Sequence, residues 1–147
     1  MSSAPSPIIL ALTLFTLAVC ALGIWQGGRP ERLGAAIVLA NNALTIVMTY
    51  AFSERASVGA LVQLALDGVT AAALLLVVLR YGKPWLGIAM LLYAAQFALH
   101  SFYLVAERPS DTLHAVANNV IFVGVNLSLA AGIVAAMLKR RQIAKRG

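Results

Sequence analysis

PWLGIAMLLYAAQFALHSFYLVAE, residues 84–107, is the stretch on which the fold turns. It is an apolar block of the length needed to cross a hydrocarbon core, about 20 residues. Yet Tyr93, Gln96, His100, Tyr103 and Glu107 follow one another at steps of three and four, which places all five on one face of a helix. The other faces are Leu, Ile, Met, Ala and Phe. A spanning helix with one polar stripe turns that stripe toward other helices or a cavity, and an ionisable residue within it marks a candidate site. The preceding block carries a shorter echo. QLALD at 63–67 matches QFALH at 96–100, with Asp67 where the later copy has His100.

The composition carries this reading to the whole chain. The 147 residues are 61% hydrophobic and 11% charged, with a mean hydropathy of +0.89. Soluble domains carry roughly a quarter charged residues. The apolar residues gather in five blocks, predicting spans at about 8–25, 33–52, 57–79, 84–106 and 113–138. The expected fold is all-α: one integral membrane bundle of five transmembrane helices over residues 1–147. Residues 139–147 form a basic tail expected to fray. Gly27-Gly28 with Pro30, and Gly82 with Pro84, supply stop and start signals between blocks. Ser110 or Asp111 is a candidate N-cap for the fifth helix. Trp25, Tyr50, Tyr81 and Trp85 sit near helix ends, where aromatic belts form. Alanines such as Ala35, Ala36, Ala71 and Ala130, with Gly132, offer close-packing surfaces.

The net charge of +6 would suggest nucleic acid in a soluble protein. Here it follows topology. Five spans place Arg29, Arg32, Arg80, Lys83 and the five basic residues of the tail on one side, and Arg55 and Arg108 on the other. The positive-inside rule puts the C-terminus in the cytoplasm and the N-terminus outside, in the cell inner membrane. The first block lacks the basic leader of a signal peptide, and its removal would leave the basic tail outside, so it is read as a retained span. Membrane lipids, not nucleic acid, are the expected surroundings. The single Cys20 excludes an internal disulfide and a multi-Cys metal site. No Walker loop, HExxH, CxxC or nucleophile elbow is present.

With that orientation the polar groups crowd the outer half of the bundle and reach its centre, above an apolar floor. Asp67 is the costliest: a carboxylate at membrane depth costs several kcal/mol unless paired, hydrated or protonated. It reads as a proton- or solute-binding group, or as a hydrogen-bonded anchor to His100 or Asn42. His100 lies at similar depth on the next helix and is the expected partner. Gln63 and Gln96 each precede the ionisable group by four residues, and Asn41-Asn42 is matched by Asn118-Asn119. Amides join helices and also ligate polar solutes. Tyr93 and Tyr103 flank Gln96 and His100 and are expected to wall a pocket. His114, near the outer interface, offers a weaker reading as a second haem ligand beside His100. Glu54, Glu107 and Asp111 are three outer carboxylates, read as solvated. No cofactor or metal is assigned.

The substrate or proton site is thus Asp67, His100, Gln63, Gln96, Asn42, Asn118, Asn119, Tyr93 and Tyr103. The leading expectation is binding or transport of a small polar or amphipathic solute from the outer side. Proton coupling is open to it because histidine titrates near neutral pH. A second reading is an accessory subunit of a larger membrane complex, and a third is a small membrane enzyme acting on a lipid-soluble substrate with Asp67 and His100 as acid and base. Five helices enclose little space, so a homo-oligomer or a place in a complex is expected.

Overall fold

The computed structural model describes residues 7–52, 55–109 and 111–146. Glu54 and Ser110, named above, lie outside the described residues. Five helices follow in order: α1 (Pro7–Gln26), α2 (Arg29–Ala51), α3 (Ala56–Tyr81), α4 (Pro84–Val105) and α5 (Thr112–Ala144). No strand occurs among the described residues. Four of the helices, α2 to α5, are long and apolar enough to cross a membrane. The fifth, α1, is 20 residues long.

The helix ends follow from local chemistry. Gly28 caps α2 in an extended conformation, and Pro30 occupies its first turn, where a missing N–H costs nothing. Gly82 ends α3 in the left-handed region at φ +60°, its N–H donating to the Val78 carbonyl. The next helix starts at once, with Pro84 in its first turn. Glu107 makes the corresponding turn after α4 at φ +48°, a conformation that an L side chain adopts at a cost of about 1 kcal/mol. Asp111 then caps α5, its carboxylate accepting from the His114 backbone N–H at 2.8 Å. The basic tail begins as a continuation of α5, which runs to Ala144. At 33 residues α5 is about 50 Å long, beyond a hydrocarbon core of about 30 Å, so its last turns carry Lys139, Arg140 and Arg141 past the apolar zone.

Connectors of a few residues make consecutive helices antiparallel neighbours. Each helix packs on the next, α5 returns to α1, and α2 touches α5 across the interior, so the five form a closed ring. The core fills one half of it: Ala35, Val38, Leu74, Leu86, Ala89, Val125, Leu129 and Ile133 are all buried. Trp85 departs from its expected place at an aromatic belt. Its indole lies between Gly34 of α2 and Gly132 of α5, where an added Cβ would meet the ring at 2.9 and 2.4 Å. Trp25 and Tyr50 are exposed, as belt residues are. Of the alanines expected to pack, Ala35 is buried and Ala36 faces outward. Large apolar side chains also face outward on every helix, among them Leu14, Val47, Leu76, Leu91 and Val120. An apolar exterior so extensive suits lipid rather than water.

Candidate functional site

The polar groups gather at the other end of the ring. Asp67 is fully buried, and its Oδ2 lies 2.6 Å from His100 Nδ1, the one ion pair among the described residues. Gln63, one turn earlier on α3, donates from Nε2 to Asp67 Oδ1 at 3.2 Å. Both carboxylate oxygens are therefore partnered, one across the α3–α4 seam and one along α3. This satisfies the requirement that a buried charge be paired and hydrogen-bonded. With Nδ1 engaged by the carboxylate, Nε2 is the ring nitrogen left to meet a ligand: a donor when the imidazole is charged, an acceptor when it is neutral. His100 is 14% exposed at its side chain.

Two cavities lie against His100. The larger, about 580 Å³, lies among α2, α3, α4 and the start of α5, lined by Thr49, Phe52, Gln63, His100, Tyr103 and His114. The smaller, about 360 Å³, reaches toward α1 and is lined by Asn42, Thr45, Gln96, Asn118 and Asn119 as well as Gln63, His100 and His114. Gln63, His100 and His114 thus form the wall common to both. Asp67 lines neither and sits behind His100.

The remaining predicted residues divide. Gln96 does not repeat the role of Gln63. It reaches across to α5, donating to Asn118 Oδ1 at 3.0 Å, rather than along α4 to His100. The sequence echo between 63–67 and 96–100 is therefore not a structural equivalence. Asn42 folds back to donate to the Val38 carbonyl at 2.9 Å while lining the smaller cavity. Asn119 is exposed and lines the same cavity. Tyr103 walls the larger cavity as expected, but Tyr93 lines neither. Tyr93 is buried deeper, where its hydroxyl accepts from Asn41 Nδ2 at 3.3 Å. Asn41 Oδ1 in turn accepts from Thr70 at 3.0 Å. This Asn41–Thr70–Tyr93 group joins α2, α3 and α4 beneath the site. The double asparagine pointed to α2, but only its fold partners show that Asn41, not Asn42, bridges helices.

Aromatic contacts carry the site outward. The His114 ring lies 5.3 Å from that of His100 and 4.6 Å from that of Tyr103, centroid to centroid. Tyr103 donates its hydroxyl to Asp111 Oδ1 at 2.7 Å. That bond, followed by the one from the His114 N–H, holds the exposed Asp111 carboxyl below the usual carboxylate range. With the two imidazoles in contact, no porphyrin plane fits between them, so this geometry does not support His100 and His114 as a bis-histidine haem pair. No cluster of three or more His, Cys, Asp or Glu able to hold a metal occurs among the described residues.

One polar atom in the cavity wall is unmatched. The Thr45 hydroxyl oxygen is buried without a hydrogen-bond partner, and Thr45 lines the smaller cavity. Asn126 Oδ1 is likewise buried and unpartnered, although Asn126 Nδ2 donates to the Phe122 carbonyl. Buried polar atoms are rarely left so, and each asks for an occupant or a role. No protein-family model, curated protein or solved structure matches this chain.

Proposed function

We propose that this is a five-span membrane protein, N-terminus outside and C-terminus cytoplasmic, that binds or carries a small polar solute in an outward-facing vestibule. His100 and Gln63 are its contact groups, and Asp67 is the buried anion that fixes His100. The observation that carries the reading is the join of the two cavities at a histidine whose other nitrogen is locked by a fully buried carboxylate. A histidine so held presents Nε2 in one orientation, which is the preorganisation a small ligand needs.

Other features agree. Gln63, Asn42, Asn118, Asn119 and the unmatched Thr45 hydroxyl surround the smaller cavity with neutral hydrogen-bonding groups, suited to an uncharged or zwitterionic solute. The buried apolar half around Leu74, Leu86 and Leu129 blocks a continuous wet path, which suits a binding site or a carrier better than a channel. The accessory-subunit reading draws on one observation of its own: the Asn41–Thr70–Tyr93 hydrogen bonds tie three helices together without a ligand, although Asn41 also borders the smaller cavity.

The test is a thermal-stability screen of the purified chain, in detergent or nanodiscs, against small polar solutes between pH 5 and 8. At least one solute class should raise Tm in a concentration-dependent way. Asp67→Asn and His100→Gln should fold but lose that response. If no solute distinguishes either variant from the parent, the binding reading fails and the subunit reading gains.

A further inference from the structure

At the opposite end of the bundle lies a cleft of about 520 Å³, between the starts of α2 and α4, the end of α3 and the last turns of α5. Its wall on α5 is one helical stripe: Gly132, Ala135 and Ala136, then Lys139 and Arg140, then Ile143. Along that stripe the lining passes from small and apolar to basic within two turns. Trp85 continues the apolar part from α4, and Lys83 continues the basic part.

The cations of the cleft outnumber its one carboxylate, Glu31. Among the described residues the only ion pair is His100–Asp67, so Lys83, Lys139 and Arg140 are bridged to no carboxylate. Glu31 lines the same cleft, which leaves an excess of two positive charges there. Arg140 is not loose: its Nη1 donates to the Gln26 carbonyl at 2.8 Å, which ties its guanidinium to the end of α1. Helices α2 and α4 begin at this end and α3 and α5 finish there, so the helix dipoles largely offset one another and the positive excess comes from the side chains.

We propose that this cleft is a site for the phosphate of an anionic membrane phospholipid. Lys83, Lys139 and Arg140 surround the phosphate, and Trp85, Gly132 and Ala136 lie along the root of the acyl chains. An apolar wall leading directly into a basic rim matches the order of groups in a phospholipid, and a free phosphate would make no use of the apolar half. Basic pockets between spanning helices on the cytoplasmic side recognise such headgroups by the same physics. The inference rests on the membrane reading but not on solute binding, and its test needs no solute.

Trp85 is the built-in reporter, because the chain has only one other tryptophan, Trp25. The full chain carrying Trp25→Phe is reconstituted in bilayers that mix phosphatidylcholine with brominated phosphatidylglycerol, and Trp85 quenching is followed against the brominated fraction. Each basic side chain near an anionic headgroup is worth about fivefold in affinity. Three cations opposed by Glu31 should therefore give a preference of about tenfold or more over phosphatidylcholine. Lys139→Gln with Arg140→Gln should bring it close to one. Lys145→Gln with Arg146→Gln, beyond the cleft, should leave it unchanged, and millimolar inorganic phosphate should not compete. Equal quenching by brominated lipids of both headgroups overturns the proposal. So does a tail variant that loses as much as the cleft variant. Displacement by inorganic phosphate would assign the cleft to a free anion instead of a lipid.

Discussion

His100→Ala tests whether the buried pair is a single unit. The substitution removes the partner of Asp67 Oδ2 and leaves the carboxylate, buried in the parent, with Gln63 as its remaining partner. Breaking a buried pair by removing one member costs about 3–5 kcal/mol, mostly because the other charge is stranded. Asp67→Asn is different in kind. The new amide oxygen still accepts from Gln63, and its N–H can donate to a neutral imidazole, so the expected cost is about 1 kcal/mol. With the charge gone, His100→Ala in the Asp67→Asn background loses only one hydrogen bond and the packing of a partly exposed ring, about 1–2 kcal/mol. The coupling between the two sites is then about 2–3 kcal/mol. The assay is reversible unfolding of the parent, both single variants and the double variant in mixed micelles of rising denaturing-detergent content. If the two single effects sum to the double within about 0.5 kcal/mol, the residues do not act together and the shared site is lost.

Five further outcomes are expected. Gly132→Ala puts a methyl into the Trp85 indole and should cost about 1–3 kcal/mol by overpacking. Gly87→Ala, with nothing within 4 Å of the new atom, should be neutral or stabilising by up to about 1 kcal/mol. Glu107→Gly should relieve the positive φ after α4 and gain up to about 1 kcal/mol in the same unfolding assay. The Asp111 carboxyl is held below its ordinary value, so its contribution is fully present above the unfolded pKa and lost as pH falls through the folded one. The pH dependence of Tm below about pH 4 should therefore weaken in Asp111→Ala, and an unchanged slope would remove the Tyr103–Asp111 bond from the account. In a Cys20→Ala background, Arg55→Cys should react with an impermeant maleimide from outside intact cells. Lys145→Cys should react only after permeabilisation, and the reverse pattern would invert the topology.

The helical spans were legible because an apolar block of spanning length leaves little else to be. Their ends shifted by a few residues where capping decided the matter, as at Gly28, which starts α2 four residues before the apolar run. The Asp67–His100 pair was legible too, because adjacent antiparallel helices place residues of equal depth side by side. What escaped were the contacts that depend on how each helix is rotated about its axis. Asn41 looks like Asn42 in sequence, and only the rotation of α2 selects it to meet Thr70 and Tyr93. Trp85 looks like a belt residue until Gly34 and Gly132, some hundred positions apart, form its seat. Glu31 falls between two apolar blocks in the sequence, yet it is buried where α2, α4 and α5 converge.

The closed ring has an odd number of members. Four of its five seams join antiparallel helices tied by a turn, and the fifth brings α1 beside α5 with both running the same way. The first turn of α1 and the last turn of α5 consequently lie at opposite ends of the bundle. No short linker can splice them, so a circular permutant would require an additional segment as long as a helix of the bundle.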